Sequence, residues 1–342
     1  MTQILDTSPS SIARAAECLR AGGLVAFPTE TVYGLGAHAL DAAAVRRLFE
    51  AKGRPANDPL IVHVASANDV RGLVARIPPH GELLAARFWP GPLTLVMPKS
   101  PRIPLEVTAG LDTVAIRMPA HPVARALLEA AQVPIAAPSA NLFSRPSPTR
   151  TAHVLHDLEG RIDLVIDGGP TTVGVESTVL DLTSDPPMVL RPGAVTLEML
   201  KGLLPNVRMR ANAVEPGPQP SPGMFSKHYS PRAPLVLFEG PPEAALDALV
   251  ARARQAAADG RRVGVLAMRE DVDVFGDFPV CFAEMGTGRD LAGVALRLYA
   301  ALRELDAAGV DIIFARDIDA DDGLGRAIRD RLHRAASEMV RL

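Results

Sequence analysis

Leu24-Val-Ala-Phe27 is followed directly by Pro28-Thr-Glu-Thr-Val-Tyr-Gly-Leu-Gly36, and the architecture of the first half of the chain can be inferred from this stretch. The first four residues form an apolar run that ends at a proline, which is typical of a short buried strand. The next nine contain hydroxyl, carboxyl and glycine residues, so we interpret 28–36 as a loop that follows the strand. Polar loops at the ends of buried strands are where α/β proteins build their sites.

Similar apolar runs recur through the first 200 residues, and helical patterns lie between several of them. The runs predict strands at 60–64, 94–97, 113–118, 134–137, 163–166, 177–182 and 188–190. Apolar residues at helical spacing predict helices at 12–19, 42–50, 81–88, 121–131, 152–158 and 195–203. Two strands follow one another between 177 and 191 with no helix to connect them, so we predict a mixed sheet and not a wholly parallel one.

Prolines and glycines crowd residues 211–234, and this composition predicts a linker between two domains. Beyond it, strands are predicted at 235–238, 262–268, 280–283 and 310–315, with helices at 242–258, 290–308 and 322–340. That alternation predicts a small open α/β sheet. The predicted organisation is therefore a first domain at 1–210, a linker at 211–234 and a second domain at 235–342.

The composition excludes several classes of protein. The 342 residues suffice for about two domains, and 48% apolar with 22% charged residues is too hydrophobic for disorder. A formal net charge of −3 argues against a protein whose main task is to grip a nucleic-acid backbone. Cys18 and Cys281 are the only cysteines, which excludes a disulfide framework and a cysteine-based zinc site. With no apolar stretch long enough for a membrane span and no secretory signal, we expect a cytoplasmic protein.

Common catalytic motifs are missing from the sequence. It contains no phosphate-binding G-x-x-x-x-G-K-[ST] loop, and Gly34-Leu-Gly36 lacks the third glycine of a dinucleotide fingerprint. The eight histidines show no clustered ligand spacing, and no Gly-x-Ser-x-Gly elbow occurs. These absences argue against a P-loop kinase, a standard Rossmann dehydrogenase, a metallohydrolase and a serine hydrolase, and we predict no metal-binding residue set.

Basic residues stand near the ends of several predicted strands. Lys52-Gly-Arg54-Pro55, taken alone, favours a solvated basic loop. His63 lies within an apolar run and is as much a candidate core histidine as a ligand-binding one. Arg117 and Arg191 each close a buried strand, and a guanidinium group there suits a carboxylate or a phosphate.

Taken together, these cations and the neutral polar residues near them suggest one kind of ligand. Lys52, Arg54, Arg117 and Arg191 supply positive charge, and hydrogen-bonding groups come from Thr31, Ser139, Asn141, Ser147 and Ser177. This mixture favours a polyanionic substrate together with a small zwitterion.

Six motifs occur in an order that is known from one enzyme family. They are PTETVYGLG at 28–36, KGRP at 52–55, PSAN at 138–141, ESTV at 176–179, RPG at 191–193 and HYSP at 228–231. Over essentially all 342 residues the chain resembles the long, two-domain threonylcarbamoyl-AMP synthases of the YrdC/YwlC family. The resemblance implies an α/β protein with a twisted mixed-sheet, YrdC-like N-terminal domain and a small Rossmann-like open-sheet C-terminal domain. Ser144 stands where the family commonly has glycine.

The resemblance also implies a reaction and a set of site residues. The reaction converts L-threonine, bicarbonate and ATP into threonylcarbamoyl-AMP, pyrophosphate and water, and Mg²⁺ arrives with ATP. The product then feeds a downstream tRNA-modifying transferase complex, and direct contact with tRNA is not required. By similarity, Lys52 and Arg54 are catalytic, and threonine is held by Thr31, His63, Arg117, the backbone of Ala137, and Ser177. ATP is held by Arg54, Asp58, Thr113, Ser139, Asn141, Ser147, Arg191 and Tyr229. The segment 221–231 is expected to act as a lid.

Two other functions remain open at this point. One is an RNA-binding, translation-associated module, against which the net charge argues. The other is a carbamoyltransferase that uses carbamoyl phosphate, which would share the cationic site but would not cleave ATP at the α-phosphate. The products distinguish the three functions, because only the synthase releases pyrophosphate and an anhydride that contains AMP.

Overall fold

The computed structural model describes residues 1–210, 221, 227–276 and 278–342. These residues form two compact units. The first unit holds the described residues up to 221, except for the short segments 144–146 and 173–175. Those two segments group with the described residues from 227 onward in the second unit. The predicted linker at 211–234 lies largely outside the described residues, so its bounds stay a prediction.

The first unit is built on a mixed sheet. Its strands are β1 (Gln3–Leu5), β2 (Val25–Pro28), β3 (Tyr33–His38), β4 (Ile61–His63), β5 (Leu93–Pro98), β6 (Thr113–Arg117), β7 (Ile135–Ala136), β8 (Leu164–Ile166), β9 (Thr178–Asp181), β10 (Met188–Arg191) and β11 (Arg208–Met209). They lie in the order β1-β8-β2-β3-β7-β4-β6-β5-β9-β10-β11. Parallel pairs such as β4 with β6 stand beside antiparallel pairs such as β5 with β6, which confirms the predicted mixed sheet.

Helices cover both faces of this sheet. They are α1 (Pro9–Arg20), α2 (Ala42–Lys52), α3 (Gly81–Phe88), α4 (Leu105–Thr108), α5 (Pro122–Ala131), α6 (Thr151–Leu158) and α7 (Leu197–Lys201). Val25 and Phe27 of β2 pack in one apolar cluster with α1 and α5, whereas Ala26 packs in another with α2. Because successive side chains of a strand point to opposite faces, burial of both faces explains why 24–27 is continuously apolar.

The interpretation of 28–36 as a loop is wrong for its second half. Only the segment around Thr29 to Val32 turns, and Tyr33 begins β3, which pairs antiparallel with β2. Gly34 and Gly36 suggested a loop, but both lie in this strand. A side chain on Gly36 would place its Cβ 2.9 Å from both Phe27 and Ile135, so here glycine reflects close packing and not a turn.

The second unit holds an open α/β sheet, as predicted, and the strand pairs of this sheet among the described residues are parallel. Its strands are β12 (Leu235–Glu239), β13 (Val263–Met268), β14 (Cys281–Gly286), β15 (Ile312–Arg316) and β16 (Glu338–Arg341), in the order β14-β13-β15-β12-β16. The helices of this unit are α8 (Pro242–Ala258), α9 (Leu291–Ala307) and α10 (Gly323–Ala335). The predicted extension of the last helix to residue 340 is wrong, because 338–341 pairs with β12. Across the described ranges, no helix is both long enough and apolar enough to cross a membrane.

Candidate active site

The end of α2 places Lys52 inside the first unit. The helix stops at Gly53, whose φ of 61° lies in the left-handed region that favours glycine. The Lys52 side chain is only 2% exposed, and its Nζ donates to the carbonyl oxygens of Ser139 at 2.5 Å and Asn141 at 2.6 Å. Burial, and then the nearby charge of Arg54, hold the pKa of Lys52 well below its usual value. The prediction of a solvated loop is therefore wrong.

Arg54 is buried beside Lys52 and is fixed by the chain that follows it. Its Nη2 lies 2.8 Å from Oδ2 of Asp58, and the guanidinium also donates to the carbonyl oxygens of Asp58 and Pro59. Thr113, another predicted ATP residue, opens β6, which pairs with the β4 strand that begins just after Pro59. The structure thus brings these three residues into neighbouring segments, and their role in ATP binding stays a prediction.

A second cluster forms around Arg117 at the end of β6. Its Nη1 donates to Oγ1 of Thr31 at 2.9 Å, its Nη2 to Oε1 of Glu30 at 2.6 Å, and its Nε to the carbonyl oxygen of Gly91 at 3.3 Å. Oε2 of Glu30 accepts the N–H of Ala120 at 3.0 Å. Arg117 and Thr31 therefore come together as predicted, but part of the guanidinium fork predicted for threonine is bonded to Glu30.

Glu30 is a member of this cluster that sequence reasoning did not single out. Burial alone would raise the pKa of its carboxyl group, but the charge of Arg117 and the hydrogen bonds outweigh this and keep that pKa below its usual value. Glu30 is therefore ionised at neutral pH. Its position between Thr29 and Thr31 in a polar segment was the available signal, but nothing in the sequence pairs it with an arginine 87 residues away.

His63 lies beside this ion pair. In the register of β4 and β6 it stands next to Arg117, and its ring meets the edge of Phe27 at a centroid distance of 6.4 Å. The side chain is 3% exposed, and its Nδ1 has no hydrogen-bond partner among the described residues. Burial, followed by the charge of Arg117, lowers the pKa of His63 to about 3, so the ring is neutral at pH 7.

Arg191 and Ser177 are hydrogen-bonded to each other. Arg191 is the last residue of β10, and Ser177 directly precedes β9. Nε and Nη2 of Arg191 donate to the carbonyl oxygen of Ser177 at 3.1 and 3.0 Å. The Ser177 hydroxyl lies 2.8 Å from that of Thr94, which stands opposite Arg117 in the pairing of β5 with β6. Arg191, predicted for ATP, is thus bonded directly to Ser177, predicted for threonine, and Ser177 contacts Thr94, a residue opposite Arg117 that sequence reasoning did not single out.

The remaining predicted residues of the first unit are also buried or partly buried. The hydroxyl group of Ser147 donates a hydrogen bond to the carboxylate of Glu176, the residue before Ser177. Ser139 forms a bridge with Gly34. The N–H of Ala137 donates to the carbonyl oxygen of Ile61, so only the carbonyl of that backbone unit can contact a ligand.

Tyr229 belongs to the second unit, unlike the other predicted site residues. It is 1% exposed and has a φ of 61°, a conformation that side chains with a Cβ rarely adopt. Its ring packs on Tyr299 at a centroid distance of 5.5 Å, and Cζ of Arg331 lies 5.4 Å from the ring centre. A role of Tyr229 in ATP binding stays a prediction.

One group of side chains in the described residues has a spacing that could hold a metal ion. It consists of Glu239, Asp317 and His333 in the second unit. Arg329 lies within this group, with Nη2 2.8 Å from the Asp317 carboxylate and 3.4 Å from that of Glu239. Arg341 also pairs with Glu239, so two arginines balance the two acids and these residues form an ion-pair network. In the first unit, Asp58 and Glu30 are paired with arginines, so these carboxylates do not fit a resident magnesium site.

The two sheets and the buried cations define a two-domain α/β protein with a cationic site in its first unit. A family model for Sua5, YciO and YrdC proteins, described as telomere recombination, matches residues 17–193. A second model, described as the C-terminal domain of threonylcarbamoyl-AMP synthase, matches residues 195–337. The chain belongs to the Sua5–YciO–YrdC family, and it has the two-domain organisation of the threonylcarbamoyl-AMP synthases within it.

Individual relatives agree with this assignment. The threonylcarbamoyl-AMP synthase of Bacillus subtilis is 46% identical over 99% of this chain and 97% of its own length. A crystal structure of Pyrococcus abyssi Sua5 complexed with L-threonine superposes with a TM-score of 0.93 at 43% identity and covers 100% of both chains. A shorter protein of Mycobacterium tuberculosis, named a putative threonylcarbamoyl-AMP synthase, is 39% identical over 56% of this chain and 88% of its own length.

Proposed function

We propose that the chain is a threonylcarbamoyl-AMP synthase, which converts L-threonine, bicarbonate and ATP into threonylcarbamoyl-AMP, pyrophosphate and water. The observation that carries the proposal is the burial of four basic side chains, Lys52, Arg54, Arg117 and Arg191, in the first unit. Fixed positive charge in a site of low dielectric stabilises anionic substrates far more than it would in water. A carbamate and a triphosphate repel each other, so an enzyme that joins them needs such cations.

We assign separate groups of residues to the two substrates. Thr31, His63, Arg117, the carbonyl of Ala137, and Ser177 hold threonine. Arg54, Asp58, Thr113, Ser139, Asn141, Ser147, Arg191 and Tyr229 hold ATP. Lys52 lies beside the phosphates and the group derived from bicarbonate. Because its Nζ is already held by two carbonyl oxygens, the ammonium group is positioned before the substrates arrive.

The proposed chemistry needs no covalent enzyme intermediate. The ammonium group of threonine first releases a proton to solvent, and the resulting amine combines with bicarbonate to form a carbamate and water. A carbamate oxygen then attacks the α-phosphorus of ATP, and the bond to pyrophosphate breaks. The residues of the chain align the two anions and exclude water from the labile anhydride. Mg²⁺ enters bound to the ATP phosphates as part of the substrate.

The product defines the place of the enzyme in tRNA modification. Threonylcarbamoyl-AMP is an activated acyl donor, so a transferase complex that modifies tRNA consumes it. The chain itself needs no tRNA contact for its own step, and we place it in the cytoplasm with this machinery. The linker predicted at 211–234 and the lid predicted at 221–231 lie partly outside the described residues, and both stay predictions.

Substitution of the two catalytic cations tests the proposal. We expect Lys52→Ala and Arg54→Ala each to lower threonine-dependent pyrophosphate release about 100-fold or more, because each removes a preorganised charge from the transition state. The matched control is Lys201→Ala, at an exposed lysine on α7, which should retain full activity. Circular dichroism and thermal unfolding check that the variants are folded.

The two alternative functions predict other products. Full activity in both folded variants would contradict the proposed catalytic residues. Formation of a carbamoylated product from carbamoyl phosphate without ATP cleavage would favour the carbamoyltransferase. Steeply salt-dependent RNA binding without pyrophosphate release would favour the RNA-binding module.

A further inference from the structure

Arg117 and Glu30 form a buried pair with balanced charge in the proposed threonine site. Their side chains are 4% and 9% exposed, and Nη2 and Oε1 are 2.6 Å apart. Stability alone does not account for such a pair, because well-packed apolar side chains in its place are often as stable or more so. The backbone of Glu30 is held as well, since its carbonyl oxygen accepts the N–H of Thr172 at 3.1 Å.

Both members of the pair keep hydrogen-bonding capacity. Arginine has five N–H donors, and the bonds to Glu30, Thr31 and Gly91 engage three of those of Arg117. A carboxylate has about four acceptor positions, and that of Glu30 accepts one bond from Arg117 and one from Ala120. The positively charged Arg117 therefore keeps N–H donors, and the negatively charged Glu30 beside it keeps acceptor positions.

The groups around the pair are neutral. Thr29 and Thr31 contribute hydroxyl groups 2.8 Å apart. His63 is uncharged at neutral pH because burial and the charge of Arg117 lower its pKa to about 3. A ligand therefore meets one fixed positive and one fixed negative charge. An anion alone would meet an arginine that Glu30 already neutralises, whereas an α-amino acid carries charges that match both groups.

We infer that Glu30 is a substrate-binding residue that accepts hydrogen bonds from the ammonium group of the amino acid, while Arg117 binds its carboxylate. The inference rests on the proposed function and deepens it, because it assigns selection for the zwitterionic form of the substrate to one residue. A merely structural Glu30 would orient Arg117 and would have no direct effect on the ammonium group. The two roles predict different responses to a ligand that lacks the amine.

The experiment compares two ligands in the full chain by isothermal titration calorimetry at pH 7. One is L-threonine, and the other is the 2,3-dihydroxybutanoate of the same configuration, in which a hydroxyl replaces the ammonium group. The variants are Glu30→Gln, which removes the charge, and Glu30→Asp, which keeps it. Glu82→Gln is the matched control, since Glu82 is an exposed glutamate that also pairs with an arginine.

We expect the wild-type chain to prefer L-threonine, and Glu30→Gln to reduce that preference about 10- to 100-fold, because a charge-assisted hydrogen bond is lost for one ligand only. Glu30→Asp should retain part of the preference, and Glu82→Gln should retain all of it. If Glu30→Gln weakened both ligands equally, Glu30 would be structural and the inference would be wrong. If the wild-type chain bound neither ligand, the proposed function would fail with it.

Discussion

Arg117 shows which part of the site is visible in the sequence. Its position at the end of an apolar run predicted a buried guanidinium group, and the structure has it there. Its partners were harder to predict, because Thr31 and Glu30 lie 86 and 87 residues away and reach it only through the order of strands in the sheet. A single sequence contains the residue types of a site, but the pairing of distant side chains depends on tertiary structure.

His63 gives rise to a prediction about acid stability. Its pKa is about 3 in the folded chain and about 6.5 when exposed. Below pH 6.5 the unfolded chain therefore binds a proton that the folded chain does not, and the free energy of unfolding falls as the pH falls toward 3. We expect His63 to cost the wild-type chain about 1.4 kcal/mol for each pH unit below about 6.

Urea unfolding at pH 7, 6 and 5 measures this effect. Glu30 changes the free energy of unfolding only near or below its ordinary pKa of 4.5, because its pKa in the folded chain is lower still. Its contribution therefore lies below the pH range of this measurement. His63→Gln should flatten the dependence of stability on pH, whereas His156→Gln, at an exposed histidine of α6, should leave it unchanged. An identical slope in the wild-type chain and His63→Gln would show that the buried histidine does not resist protonation.

The secondary structure was predicted best where apolar runs or helical spacing are long. The strands β2, β4, β5, β6, β8, β9 and β10 and the strands of the second unit up to β15 fall within or close to predicted runs. The edge strands β1 and β11 are not predicted, because neither lies in an apolar run of three or more residues, unlike the equally short strands β4, β7 and β8. The pattern at 322–340 predicts helix to its end, but 338–341 forms β16 because it pairs with β12, and this pairing is a tertiary interaction.

Gly193, in the RPG motif, is required by close contact between two segments. A Cβ at this position would lie 2.4 Å from the N atom of Thr178 and 2.6 Å from the carbonyl oxygen of Glu176. We expect Gly193→Ala to displace the segment that carries Ser177, to destabilise the chain by about 1–3 kcal/mol and to lower activity. The midpoint of urea unfolding and the rate of pyrophosphate release measure the two effects.

Gly202 provides the control for this substitution. It has a φ of −62° at the end of α7, and an added Cβ would lie 3.3 Å from the carbonyl oxygen of Met199. Gly202→Ala should therefore change stability by no more than about 0.5 kcal/mol. Equal stability of Gly193→Ala and the wild-type chain would mean that the backbone at 176–178 adjusts freely, in contradiction to the tight packing described here.

For the molecule as a whole, composition and the alternation of strands and helices predict two domains, and the described residues form two compact units, while the predicted domain bounds stay a prediction. The exception is instructive, because the short segments 144–146 and 173–175 group with the second unit although they lie within the first domain by sequence. In the first of them, the backbone oxygen of Ser144 accepts the N–H of Ser230 at 2.7 Å. Ser144 has a φ of 63°, which explains why glycine suits this position.

Pyrophosphate release by the purified full chain decides whether this molecule is the proposed synthase. Mg-ATP, L-threonine and bicarbonate are supplied together and then omitted one at a time. We expect release only when all three substrates are present, because the amine and bicarbonate must form the nucleophile before ATP is cleaved. Release with ATP alone, or no release from folded protein with all three, would contradict the synthase function and the roles proposed for the buried cations.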